Sequence, residues 1–246
     1  MRPHADAANI RNADRSGSGS GSGGLFSSGG GGGPADAQKR LLWRLDFYTQ
    51  FFDVDTADVS RRMLATVNPR TIFLDELDGN PDLYGPFWIT TSVVLLLFLA
   101  STLAAYFTRA TATPYAYDFS LLSGAAGLMY GYTFVMPAAL WGVLRWCGSE
   151  SASLLECLCL YGYANLIWVP VAIASVSPIQ ILNYVFVGVG FAASAAFLIR
   201  NLYPVVSATD AKTAKILLVA VVLLHAGLSI AIKVLFFAHG SPVAKN

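Results

Sequence analysis

Five long apolar stretches, at residues 88–107, 119–144, 154–174, 179–199 and 216–237, restrict the fold of this chain more than any other feature. A helix needs roughly 20 apolar residues to cross the hydrocarbon core of a bilayer, where each backbone amide must find its partner within the segment. The first stretch carries no charge. Pro137 predicts a kink in the second, and the third contains Pro170. The fifth is interrupted by His225 and Lys233. Only 13% of the 246 residues are charged, against roughly a quarter in a soluble domain. The expectation is an all-α polytopic membrane protein with five transmembrane helices. The first residues are polar, so insertion is expected to use an internal span rather than a cleaved signal.

Orientation follows from Lys and Arg beside the spans. With the N-terminus cytosolic, one side carries Arg70, Arg145, Arg200, Lys212 and Lys215, and the other Arg109, Lys233 and Lys245. The bias predicts a cytosolic N-terminus, a lumenal C-terminus and a short lumenal tail at 238–246. Ser175 to Pro178 is short enough to make spans three and four a tight hairpin.

Two regions precede the spans. Residues 1–37 form a Gly/Ser-rich arm that buries too little to offset its ordering entropy, and it is expected to be disordered. Residues 38–87 read as a cytosolic head with short amphipathic helices. Trp43, Phe47 and Phe51 recur at helical spacing. The acidic run Asp53 to Asp58 fails as a calcium loop, because Asp58 and Leu64 stand where Gly and Glu are needed. It reads instead as the cap of a helix starting at Asp55 or Thr56, with Val59, Met63 and Val67 on one face and Asn68–Pro69 as the stop. Asp75, Glu76, Asp78 and Asp82 then make an acidic approach to the membrane.

The head meets the first span at Asp82-Leu83-Tyr84-Gly85-Pro86-Phe87-Trp88. Pro belongs in the first turn of a helix, and Tyr84 and Trp88 are aromatics of the headgroup-level type. The stretch is either a turn with an aromatic anchor or a recognition loop held at the membrane surface. Inside the spans, Ser153 and Glu156 spell a capping box. His225 calls for a partner on a neighbouring helix, with Asn165 and Asn183 as candidates. Ser123, Gly127 and Gly131, and Gly188, Ala192 and Ala196, form rows of small residues suited to close helix packing. Cys147 stands where S-acylation is conceivable. There is no P-loop, no HExxH and no pair of intramembrane carboxylates, so no catalytic residue, metal or cofactor is expected. The net charge of +1 gives no support to a nucleic-acid partner. A rival reading, a small-solute or lipid transporter, would line its path with Glu156 and His225.

Taken together the motifs resemble the Yip domain family, five-span Ypt/Rab-interacting proteins of the early secretory pathway and Golgi. Asp82-Leu83-Tyr84-Gly85-Pro86 before the first span and Gly162-Tyr163 within Leu160 to Ala164 match its two motifs as they stand here. Phe47 to Thr56 is similar to the subgroup containing the first and second human members. The resemblance runs from about Leu42 to Phe237. It implies a multi-pass protein of Golgi or ER–Golgi membranes that binds Rab-type small GTPases, prenylated ones in particular. It also implies assembly with other Yip-type proteins, or with further copies, in the lipid bilayer, and support of vesicle-mediated transport between endoplasmic reticulum and Golgi. Under it, Asp82, Leu83, Tyr84, Gly85, Pro86, Gly162 and Tyr163 are the partner-binding residues. The Tyr84-Gly85-Pro86 turn would be presented outward, and Gly162–Tyr163 would leave room for a prenyl chain.

Overall fold

The structure, a computed structural model, describes residues 49, 51–108, 118–149, 153–177 and 179–237. The arm at 1–37, the start of the head to residue 48 and the tail from 238 lie outside them. Among the described residues there is no strand, and five helical stretches are long and apolar enough to cross a membrane. Two short head helices come first, α1 (Thr56–Val67) and α2 (Phe73–Glu76). Span one is α3 (Tyr84–Thr108) and span two α4 (Ser120–Trp146). Span three is α5 (Leu154–Ala164), a 3-10 turn at Asn165–Ile167 and α6 (Trp168–Ala174). Spans four and five are α7 (Gln180–Val206) and α8 (Ala211–Phe236).

The helix ends obey the sequence. The Asp55 carboxylate accepts from the amide of Ala57 to open α1, and Asn68 closes it. Asp118, ahead of α4, accepts from the Ser120 hydroxyl at 2.6 Å and from its amide at 2.9 Å. These bonds stabilise the ionised carboxylate and hold its pKa below the usual range. The Ser153–Glu156 capping box forms in both directions. Span one begins at Tyr84, four residues earlier than the hydropathy edge, because Asp82 accepts the Gly85 amide and caps the first turn. Gly85 and Pro86 therefore lie inside that turn, where a proline has no amide to lose.

Span three is the most deeply buried of the five. It packs on α3, α4 and α7, and α8 closes the bundle against α7 and α4. Two buried polar clusters tie the helices together. Asn165 donates to Thr90 Oγ1 (3.1 Å) and Thr133 Oγ1 (2.7 Å), joining spans one, two and three. His225 meets Tyr132 Oη through Nδ1 (2.8 Å) and Ser194 Oγ through Nε2 (2.6 Å), joining spans two, four and five. Its partners are thus not Asn165 or Asn183. Ser194 gives its own proton to the Gly190 carbonyl, so an imidazole carrying its proton on Nε2 satisfies all three groups. The small-residue row of span two faces outward: a Cβ added at Gly127 or Gly131 would meet nothing.

The head is fixed to the same bundle. The buried face of α1 consists of Arg62, Ala65 and Thr66, while Leu64 and Val67 are exposed. That is a rotation away from the face centred on Val59, Met63 and Val67, because Arg62 finds an acid inside the fold. Phe73 is fully buried between Tyr163 (5.0 Å between ring centres) and Phe197 (5.5 Å), and its amide donates to Asn201 Oδ1 at 2.7 Å. Arg200 donates to the carbonyls of Asn68 and Thr71. Removing a buried Phe side chain typically costs about 3–5 kcal/mol. Phe73→Ala is accordingly expected to release the head, read as faster limited proteolysis between residues 68 and 80, with the spans remaining protected.

Candidate functional site

The two sequence motifs meet in one place. Asp82 is 2% exposed and is the centre of the contact. Its Oδ2 pairs with Arg62 and accepts from Tyr163 Oη at 3.2 Å. Its Oδ1 takes the Gly85 amide at 2.6 Å. Its backbone exchanges hydrogen bonds with Cys159: the Asp82 amide donates to Sγ at 3.2 Å, and the thiol donates to the Asp82 carbonyl at 2.7 Å. Arg62 also donates to the Asn80 carbonyl at 2.8 Å. A buried carboxylate is tolerated because its charge is paired and its lone pairs are occupied.

The glycines explain themselves here. A Cβ at Gly85 would land in the ring of Tyr163, and a Cβ at Gly162 would land on Pro86. Each motif thus supplies a glycine that admits the ring of the other, and the first turn of span one seats directly on span three. Gly162 leaves no slot for a lipid chain, because Pro86 fills it.

Of the seven sequence-predicted residues, Asp82, Gly85, Pro86, Gly162 and Tyr163 converge and are buried. Leu83 is half-buried, and its amide bonds to the Phe51 carbonyl. Tyr84 points outward at 40% exposure. The Tyr84-Gly85-Pro86 turn is therefore interior over two of its three residues. Sequence reasoning missed Arg62, Cys159, Phe73 and Asn201. Arg62 left one trace, a cation between Val59 and Met63 on a helix otherwise read as apolar on that side.

Glu156 is committed to its cap and His225 to its two hydroxyl partners. Among the described residues no group of three or more His, Cys, Asp or Glu side chains is placed to hold a metal.

The comparisons with known proteins follow the same residues. The Yip1 domain matches residues 64–232, a stretch that takes in both motifs and most of all five spans. The chain belongs to the Yip1 domain family. Protein YIP5 of Schizosaccharomyces pombe is 40% identical over 195 residues, covering 76% of this chain and 78% of its own length. The YIPF1 homolog of Dictyostelium discoideum is 33% identical over 205 residues, or 83% of this chain. Protein YIP5 of Saccharomyces cerevisiae is 31% identical over 176 residues, or 63% of this chain. The chain spans 59% and 57% of the length of these last two relatives. No solved structure matches the chain.

In this member of the Yip1 domain family the motif pair is a clamp between head and bundle. Breaking one side of a buried ion pair typically costs about 3–5 kcal/mol, whereas replacing both partners by apolar groups is often neutral. Arg62→Ala is expected to lower the melting temperature of the detergent-solubilised protein more than the double change Arg62→Met with Asp82→Leu. Gly85→Ala is expected to be strongly destabilising, and markedly less so on a Tyr163→Ala background. Additive effects of those two changes would remove the proposed contact.

Proposed function

We propose that this chain is a non-catalytic scaffold of Golgi or ER–Golgi membranes. Its head lies in the cytosol and binds Rab-type small GTPases, prenylated ones in particular, in support of vesicle-mediated transport. The observation that carries this reading is the family match over residues 64–232 with both motifs intact.

In this reading the two motifs together clamp and orient the head, and the surface left outside the clamp meets the partner. That surface holds a ledge of aromatics, Phe52, Tyr84, Phe87 and Trp88, all between 39% and 51% exposed. Their rings touch in sequence, Phe52 to Phe87 at 6.4 Å, Phe87 to Trp88 at 5.2 Å and Trp88 to Tyr84 at 6.3 Å. Exposed carboxylates stand elsewhere on the head at Asp53, Asp55, Asp75 and Asp78. Tyr and Trp are among the residue types enriched in hot spots of protein interfaces. The uncovered small-residue row on α4, at Ser123 and Gly127, suits close approach of a further copy or of another Yip-type protein.

The test is capture of a panel of Rab GTPases by the full chain in nanodiscs, each with and without its prenyl group and in both nucleotide states. Prenyl-dependent capture of a Golgi subset is expected. Trp88→Ala, an exposed change that leaves the clamp intact, is expected to weaken capture about tenfold. Absence of capture across the panel would sink the reading.

A further inference from the structure

Helix α1 does not lie flat on the spans along its whole length. Beside its last turn an apolar groove of about 770 Å³ remains between the head, span three and span four. The sequence explains why it is there. Pro170 has no amide, so the Leu166 carbonyl loses its helical donor, and span three relaxes into the 3-10 turn at Asn165–Ile167. On the facing wall Ala193 and Ala196, three residues apart on one face of α7, leave unfilled the space a larger side chain would occupy. Val67, an exposed apolar residue of α1, forms the rim.

The groove has one charge. Among the described residues that line it, Arg200 is the only ionisable side chain and there is no carboxylate. A guanidinium has five N–H donors. The bonds Arg200 makes to the Asn68 and Thr71 carbonyls come from one terminal nitrogen, and its Nε has no partner among the described residues. Arg200 lies seven residues from Ala193, about 10 Å along the helix, on the head side. The groove is thus an apolar trough with a cation at its polar end. Its complement is an amphiphile with an apolar tail and an anionic head. The thioether-linked prenyl tail of a protein has no anion to offer Arg200.

We propose that this groove holds one acyl chain of an anionic phospholipid of the surrounding bilayer, with the net negative charge of its headgroup against Arg200. The site is separate from the clamp and does not depend on the GTPase reading.

The experiment uses the full chain in phosphatidylcholine nanodiscs doped with a phosphatidylserine that carries a diazirine in one acyl chain. Cross-linked peptides are mapped by mass spectrometry. Cross-links are expected to concentrate on residues 166–170 and 193–197, and a chain-matched phosphatidylcholine probe should label these peptides about tenfold less. Ala196→Trp should fill the trough and remove this labelling, with labelling of the outer face of α8 unchanged. Arg200→Gln should abolish the headgroup preference. Because that change also loosens the hold on the Asn68 and Thr71 carbonyls, Ala196→Trp decides the matter if the head of the Arg200 variant proves sensitive to protease. Labelling spread evenly over the outward helix faces and indifferent to Ala196→Trp would reduce the lipid to ordinary solvent and overturn the proposal. Equal labelling by both headgroups would overturn it as well. So would displacement of the phosphatidylserine probe by equimolar geranylgeranyl-cysteine methyl ester, which would give the groove to the tail of a prenylated partner.

Discussion

The arrangement of the head depends on the carboxylate of Asp82. It lies where water does not reach, and its charge is acceptable there only because Arg62 arrives from α1 and Tyr163 and the Gly85 amide occupy its remaining lone pairs. One side chain thereby fixes three things: the start of span one, the position of α1 over the bundle, and the seating of span one on span three. The interlocked glycines make that seating steric as well as electrostatic. Neither element alone would specify the geometry. An ion pair tolerates small rotations, and a ring in a glycine notch does not.

The same logic runs through the spans. In a bilayer the apolar surface of a helix gains little by leaving lipid, so packing and hydrogen bonds decide which helices meet. Asn165 and His225 each recruit hydroxyls from two other spans, and span two takes part in both clusters. The two clusters reach span two at the adjacent residues Tyr132 and Thr133, so the bundle is pinned at one level of that helix by groups that would otherwise be unsatisfied in hydrocarbon. Both ring nitrogens of His225 are taken up by these hydroxyls, and the Glu156 carboxylate accepts the Ser153 amide in its capping box.

Much of this was legible in the sequence. Span number followed from hydropathy, although the helices of spans one, four and five run four to seven residues past the apolar stretches; the caps at Asp55 and Ser153 followed from side-chain chemistry, and the two motifs from the family resemblance. What hydropathy could not supply was the contact between elements far apart in the chain. Nothing local to Asp82 says that Arg62 and Tyr163 are its neighbours, and nothing local to Phe73 says that it fills a slot made by Tyr163 and Phe197. The rotation of α1 has the same origin. Its apolar residues alone predict one buried face, and the burial of Arg62 selects another. The Tyr84-Gly85-Pro86 stretch looked like an exposed turn because Gly and Pro are turn formers. In the fold they are the two residues small or rigid enough for a close helix crossing.

The slot that receives Phe73 has a consequence for biosynthesis. Its walls come from spans three and four, and the Phe73 amide reaches an acceptor 128 residues further along the chain. The head leaves the ribosome first and has nothing to dock on until those spans have been made and inserted. Its closure is therefore among the last steps of assembly, and a chain whose later spans are misplaced would keep Phe73, Arg62 and Asp82 exposed, a signature that quality control could read from outside the membrane.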